Sequence, residues 1–201
     1  MRILARGIAI LVFCSFMTLA GAAQARAQQG PEDGGHELEF WTGGGHSIRG
    51  GTHDIGVWNA GVRYGWIITG DHGPGFLRGS FEYAVDAEPI FIVFQPANTA
   101  QGIGFSPFAL KWNFKTRHNV VPYFEIGGGM LFSRHEVPTG ASTVNFTSGG
   151  AVGVHFLRGK HAWSAEIRVT HISDAGMTKF NPGINTLQAR FGFGLFTHPR
   201  N

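Results

Sequence analysis

Apolar and polar residues alternate with a period of two along most of the chain, and helical spacing is nearly absent. Trp58, Ala60, Val62, Tyr64, Trp66 and Ile68 share one parity, against Asn59, Gly61, Arg63 and Gly65 on the other. The same rhythm returns over residues 77–85, 108–114, 123–130, 144–156, 163–170 and 187–195. A shorter run, 37–43, sets Leu38 and Phe40 against Glu37 and Glu39. Successive side chains of a strand point to opposite faces. The pattern therefore predicts eight strands, each with one apolar, aromatic face and one polar face.

The polar parity carries Arg63, Arg78, Glu82, Lys111, Glu125, Glu166, Arg168 and Arg190, with both signs represented. A soluble carrier barrel would line its cavity with apolar groups and turn polar ones to water. Here the charged face is too crowded for such a cavity, so the inside-out arrangement is expected. Strands of ~9–11 residues cross a bilayer when tilted. An even number can close without a free edge, which hydrocarbon demands. A lumen of ~8 strands is filled by side chains. The predicted fold is all-β: an eight-stranded antiparallel transmembrane β-barrel with a packed ionic interior.

Connections predicted after the even strands (70–75, 115–119, 158–160) are short. Those after the odd strands (44–53, 86–101, 133–142, 174–185) are mostly longer. Bacterial barrels put short turns in the periplasm and long loops outside. The end of the seventh strand and the start of the eighth are then expected at the extracellular rim. The second long connection, after the third strand, carries Pro89, Ile90, Phe91, Ile92, Val93 and Phe94. Such a run fits either a segment lying on the outer-leaflet interface or a ragged extension of the strands.

Charge and composition sharpen this. The chain has 16 Lys and Arg against 13 Asp and Glu. The excess is Arg2, Arg6 and Arg26, within an N-terminal segment that holds no acid. Residues 1–27 read as a signal peptide, with a positive start, an apolar run and an Ala25-Arg26-Ala27 cleavage motif. The remaining domain, 28–201, is formally neutral, so no basic stripe suggests nucleic acid. The single cysteine, Cys14, falls in the apolar run, leaving no disulfide framework. No histidine pair has metal-ligand spacing with a third ligand nearby, so neither a metal nor a cofactor is expected.

One short stretch breaks the apolar rule. His171 and Ser173 share the parity of Trp163, Ile167 and Val169, so strand geometry aims both outward. An imidazole and a hydroxyl facing lipid are costly unless they pair or act. Asn185, entering the next strand with the parity of Leu187 and Phe191, would face outward beside His171. A serine, a base and an orienting group would converge there. A purely interfacial polar cluster fits the pattern equally well.

The run from His171 through Ile172, Ser173, Asp174, Ala175, Gly176, Met177, Thr178, Lys179, Phe180, Asn181, Pro182, Gly183 and Ile184 to Asn185 resembles the signature of the lipid A 3-O-deacylase family. Looser similarity covers residues 78–83 and 107–114. The resemblance implies an eight-stranded outer-membrane barrel that hydrolyses the ester-linked 3-hydroxyacyl chain of lipid A. It makes lipopolysaccharide and outer-membrane lipid the partners. It implies Ser173 as nucleophile and His171 as base. The family's triad glutamate corresponds here to Asn185, and its asparagine after the serine to Asp174. Gly176 and Asn181 are candidate oxyanion donors, because an amide and a tight glycine turn could aim at one point. Two readings follow: a lipid A esterase, or a non-catalytic barrel of the same descent, which Asn185 favours because an amide in place of the acid costs roughly 10⁴ in kcat in a serine triad.

Overall fold

The computed structural model describes residues 30–115 and 118–197. Eight antiparallel strands close on one another in chain order: β1 (His36–Ile48), β2 (Gly56–Ile67), β3 (Gly79–Phe94), β4 (Thr99–Phe114), β5 (Val120–Val137), β6 (Ser142–Arg158), β7 (His161–Ser173) and β8 (Ile184–Thr197). His36 pairs with Thr197, so β1 begins and β8 ends on one rim, here the terminal rim. The opposite, distal rim carries residues 49–55, 95–98, 138–141 and 174–183. The expected signal peptide and Cys14 lie outside the described residues.

The predicted alternation is realised on the wall. Along β7, Trp163, Ile167 and Val169 face out, while Glu166, Thr170 and Ile172 are buried. Phe40, Trp58, Phe108, Phe124, Val152 and Phe191 continue the outward apolar belt. A belt of this kind, on a ladder with no open edge, suits hydrocarbon.

The lumen is layered. At mid-height the Arg63 guanidinium meets Asp86 at 2.7 Å and Glu125 at 2.5 Å. Arg168 bridges Glu125 and Glu166, and Arg190 reaches Glu166 at 3.2 Å. The Arg190 guanidinium also lies 3.6 Å over the Trp41 ring. Nearer the terminal rim Lys111 holds Glu37 at 2.6 Å and Glu82 at 3.2 Å. Apolar clusters cap both ends of this network. Ile67, Val121, Leu157, Ala162 and Phe196 pack at the terminal rim. Ile55, Val57, Phe91, Val93, Ala100, Leu131, Val137, Ile172 and Ile184 pack at the distal rim. The interior is a packed core and not a channel.

Two expectations need correction. Arg78 is exposed and not in the lumen, because β3 begins only at Gly79 and Arg78 closes the 3-10 turn Gly75–Leu77. The loop-length alternation also fails: β3 and β4 run through most of 86–101, leaving 95–98 as the connection, while 68–78 at the terminal rim is longer. The apolar run of β3 is a strand extension. It is apolar on both faces because Phe91 and Val93 feed the distal cluster while Ile90 and Phe94 face outward. Pro89 is tolerated because the β3–β4 ladder is irregular between Glu88 and Phe91, where no ladder bond needs its missing N–H.

Candidate active site on the outer wall

The β7–β8 register sets His171 directly opposite Asn185. Opposed antiparallel residues carry their Cβ atoms ~4.5–5.5 Å apart, within reach of an imidazole and an amide. Both side chains are half-buried on the outer wall, flanked by Ile172, Ile184 and Thr186, which point into the lumen. The imidazole Nδ1 lies 2.7 Å from Asn185 Oδ1.

The neighbouring backbone fixes which way the amide points. Asn185 Nδ2 donates to the Gly50 carbonyl at 2.8 Å and faces the Arg49 carbonyl at 3.4 Å. Carbonyls accept only, so the nitrogen must face them and the oxygen must face His171. The neutral imidazole then carries its proton on Nδ1 and presents a lone pair at Nε2. No carboxylate meets His171 among the described residues.

Two glycines make room for this contact. Gly50 has φ +101°, and a Cβ there would fall 2.8 Å from Asn185 Nδ2. Gly183 has φ +64°, and a Cβ there would fall 2.8 Å from His171 Cε1. The Gly183 carbonyl accepts from the Thr52 N–H at 2.9 Å, which ties the β7–β8 connection to the β1–β2 loop. Neither glycine was singled out from the sequence. Both sit in loop motifs, Gly50-Gly51 and Pro182-Gly183, but nothing local reveals that the first loop reaches the eighth strand.

Ser173 lies on the same outward face, two residues along β7 and opposite Phe146. Such positions are ~6.5–7 Å apart at Cα, a span an imidazole–hydroxyl bond can cover. No hydrogen bond joins the two side chains among the described residues. The catalytic contact in hydrolases often tightens only with substrate bound.

Asp174, Gly176 and Asn181 form a separate turn. Asp174 Oδ2 accepts from the Thr178 hydroxyl at 2.5 Å and its N–H at 3.0 Å, and Oδ1 from the Gly176 N–H at 2.9 Å. The Thr178 hydroxyl, helped by these N–H groups and opposed by desolvation, holds the Asp174 carboxyl below its usual range. Asp174 is thus committed to its own turn, and the Gly176 N–H with it. Asn181 Oδ1 faces the Asp174 N–H at 3.4 Å, which leaves the Nδ2 donor turned elsewhere. The structure therefore joins His171 to Asn185, puts Ser173 beside them, and groups the other candidates in the adjoining turn.

Residues 58–194 match the family model described as lipid A 3-O-deacylase (PagL). Among solved structures, the crystal structure of the outer membrane enzyme PagL is similar at 17% identity and a TM-score of 0.58, covering 81% of this chain and 99% of that one. The outer membrane protein OprG from Pseudomonas aeruginosa is similar at 11% identity and a TM-score of 0.51, covering 84% and 98%. At these identities the structures establish the fold alone. No curated protein sequence matches the chain.

Proposed function

Because this chain belongs to the lipid A 3-O-deacylase (PagL) family, we propose that it is an esterase that removes a 3-hydroxyacyl chain from lipid A. The barrel resides in the outer membrane. With the distal rim outward, His171 and Ser173 sit at outer-leaflet depth on the wall, where an acyl chain lying alongside the barrel would meet them.

The observation that carries this reading is the pinned Asn185 amide. It supports the Nδ1–H tautomer, which is the one a serine hydrolase needs. In the proposed reaction His171 Nε2 takes the Ser173 proton as Oγ attacks the ester carbonyl. The proton passes to the departing sugar hydroxyl, leaving an acyl-serine. Water, deprotonated by the same Nε2, then releases the fatty acid. We assign oxyanion stabilisation to Asn181 Nδ2 and to the Gly176 N–H, the latter after it exchanges its bond to Asp174. An amide stabilises the transient imidazolium less than a carboxylate does, so turnover slower than with a glutamate at position 185 is expected.

The test is to incubate the folded protein with lipopolysaccharide in detergent and weigh the lipid A. Loss of one hydroxyacyl chain by wild type, and none by Ser173→Ala or His171→Ala, supports the esterase. An unchanged mass with folded wild type and with Asn185→Glu would leave the non-catalytic, lipopolysaccharide-binding reading.

A further inference from the structure

The lumen holds more acid than base. Seven carboxylates line it (Glu37, Glu39, Glu82, Asp86, Glu88, Glu125 and Glu166) against four cations, Arg63, Lys111, Arg168 and Arg190. With apolar clusters above and below, and hydrocarbon around the wall, bulk solvent screens this excess poorly. Something positive must offset it.

The excess has a focus near the terminal rim. Glu37 and Glu39 on β1 meet His155 on β6, a strand from across the barrel, and each offers a ligand atom within 4.8 Å of the others. All three side chains are almost fully buried. His155 Nε2 lies 3.6 Å from Glu37 Oε1, and neither ring nitrogen has a hydrogen-bond partner among the described residues. An unpartnered buried imidazole aimed at two carboxylates is unexpected in a packed interior. The surroundings orient the donors. Lys111 takes Glu37 Oε2, which leaves Oε1 for His155. The Ser164 hydroxyl donates to Glu39, and the Tyr123 and Phe196 rings hold the imidazole.

We propose that Glu37, Glu39 and His155 bind one divalent transition-metal ion, zinc being the probe of choice, as a staple between β1 and β6. One nitrogen and two carboxylate oxygens are a donor set that zinc accepts at ~2.0–2.2 Å, with lumen water completing four-coordination. The donors must close in on the ion by small rotamer changes. The ion removes two of the three excess charges and gives His155 the partner it lacks. The sequence-based expectation of no metal missed this set because His155 is remote in the chain from Glu37 and Glu39, and only barrel closure unites them. The proposal is independent of the esterase chemistry.

The test begins with protein refolded in detergent with zinc or with chelator, then freed of unbound ion. Elemental analysis of the zinc-refolded wild type should find about one ion per barrel, and His155→Phe and Glu39→Gln should lose it. Phenylalanine keeps the ring contacts at 155, and glutamine keeps the shape at 39. The zinc-loaded wild type should unfold several degrees higher than the chelator-refolded protein, a gap that His155→Phe abolishes. X-ray absorption of bound zinc should show an imidazole and oxygen donors. This spectrum decides even if both variants fail to fold. No retained zinc, equal retention in the variants, or a donor shell without imidazole would overturn the site and assign the excess to protons.

Discussion

Arg63 in the lumen and His171 on the outer wall are both polar groups among apolar ones, yet they differ in what they touch. Arg63 is saturated: Nε, Nη1 and Nη2 all reach Asp86 or Glu125, and it is fully buried. His171 has one side-chain partner, Asn185, and its Nε2 has none among the described residues. Ser173 beside it has no side-chain partner among the described residues. A group whose hydrogen-bonding capacity is used up holds the structure together. A group oriented on one side and left open on the other is arranged for something that arrives later.

The comparison breaks first at the wall. Ser173→Ala or His171→Ala should lower deacylation of lipopolysaccharide by at least ~10³-fold, while the melting of the barrel stays within ~0.5 kcal/mol of wild type. Lipid A mass spectra and heat-modifiability on gels check the two halves. Equal loss of stability and activity would mean that the pair is structural after all. Asn185→Ala should cost ~10²-fold in kcat, because the imidazole loses its orienting acceptor but the nucleophile and the base remain.

In the lumen the signs reverse. Arg63→Met leaves buried Asp86 with only the Trp41 N–H and buried Glu125 with only Arg168. Breaking a buried pair by removing one partner costs ~3–5 kcal/mol. Denaturant unfolding from detergent should show that loss, while activity measured well below the midpoint stays at the wild-type level. A large activity loss with intact stability would mean that the ion network reaches the site.

Much of this was legible in the strand rhythm. The parity of residues 58–68 and 163–170 gave the outward belt, and Glu82, Lys111, Glu125, Glu166, Arg168 and Arg190 fell inside as expected. His171, Ser173 and Asn185 could be placed outward because a period of two allows no third choice. Asp86 and Glu88 were hidden in a run that looked like a loop, since a strand apolar on both faces does not alternate. Arg78 was misplaced because strand ends depend on turn geometry, here a 3-10 turn. Gly50 was invisible as a site residue, because its carbonyl reaches Asn185 only once β1 and β8 close the barrel.

The belt itself distinguishes lipid-facing from lumen-facing positions. Val152 points outward near mid-strand. Val152→Arg should cost ~2–4 kcal/mol in a bilayer, falling to ~0–1 for arginine near the rim. Folding into vesicles measures it. A cost that did not depend on depth would argue against the placement of the wall in hydrocarbon.

Asp174→Asn is expected to do least, and it separates two accounts of the missing acid. The Asp174 carboxyl is lowered in the folded state by the Thr178 hydroxyl and turn N–H groups. Its contribution to the turn is therefore complete above the ordinary aspartate range and fades only as pH falls through the lowered value. Near neutral pH the charge is always present, so no pH step from this group should appear in the rate. Asparagine keeps one acceptor oxygen for the turn and should change kcat by no more than a few-fold. If Asp174 were instead the group that orients His171, Asp174→Asn would cost about as much as His171→Ala. It would also do so without disturbing Asn185. A loss of ~10³-fold or more in the rate of lipid A deacylation would thus transfer the orienting role to Asp174 and leave the Asn185 contact as packing.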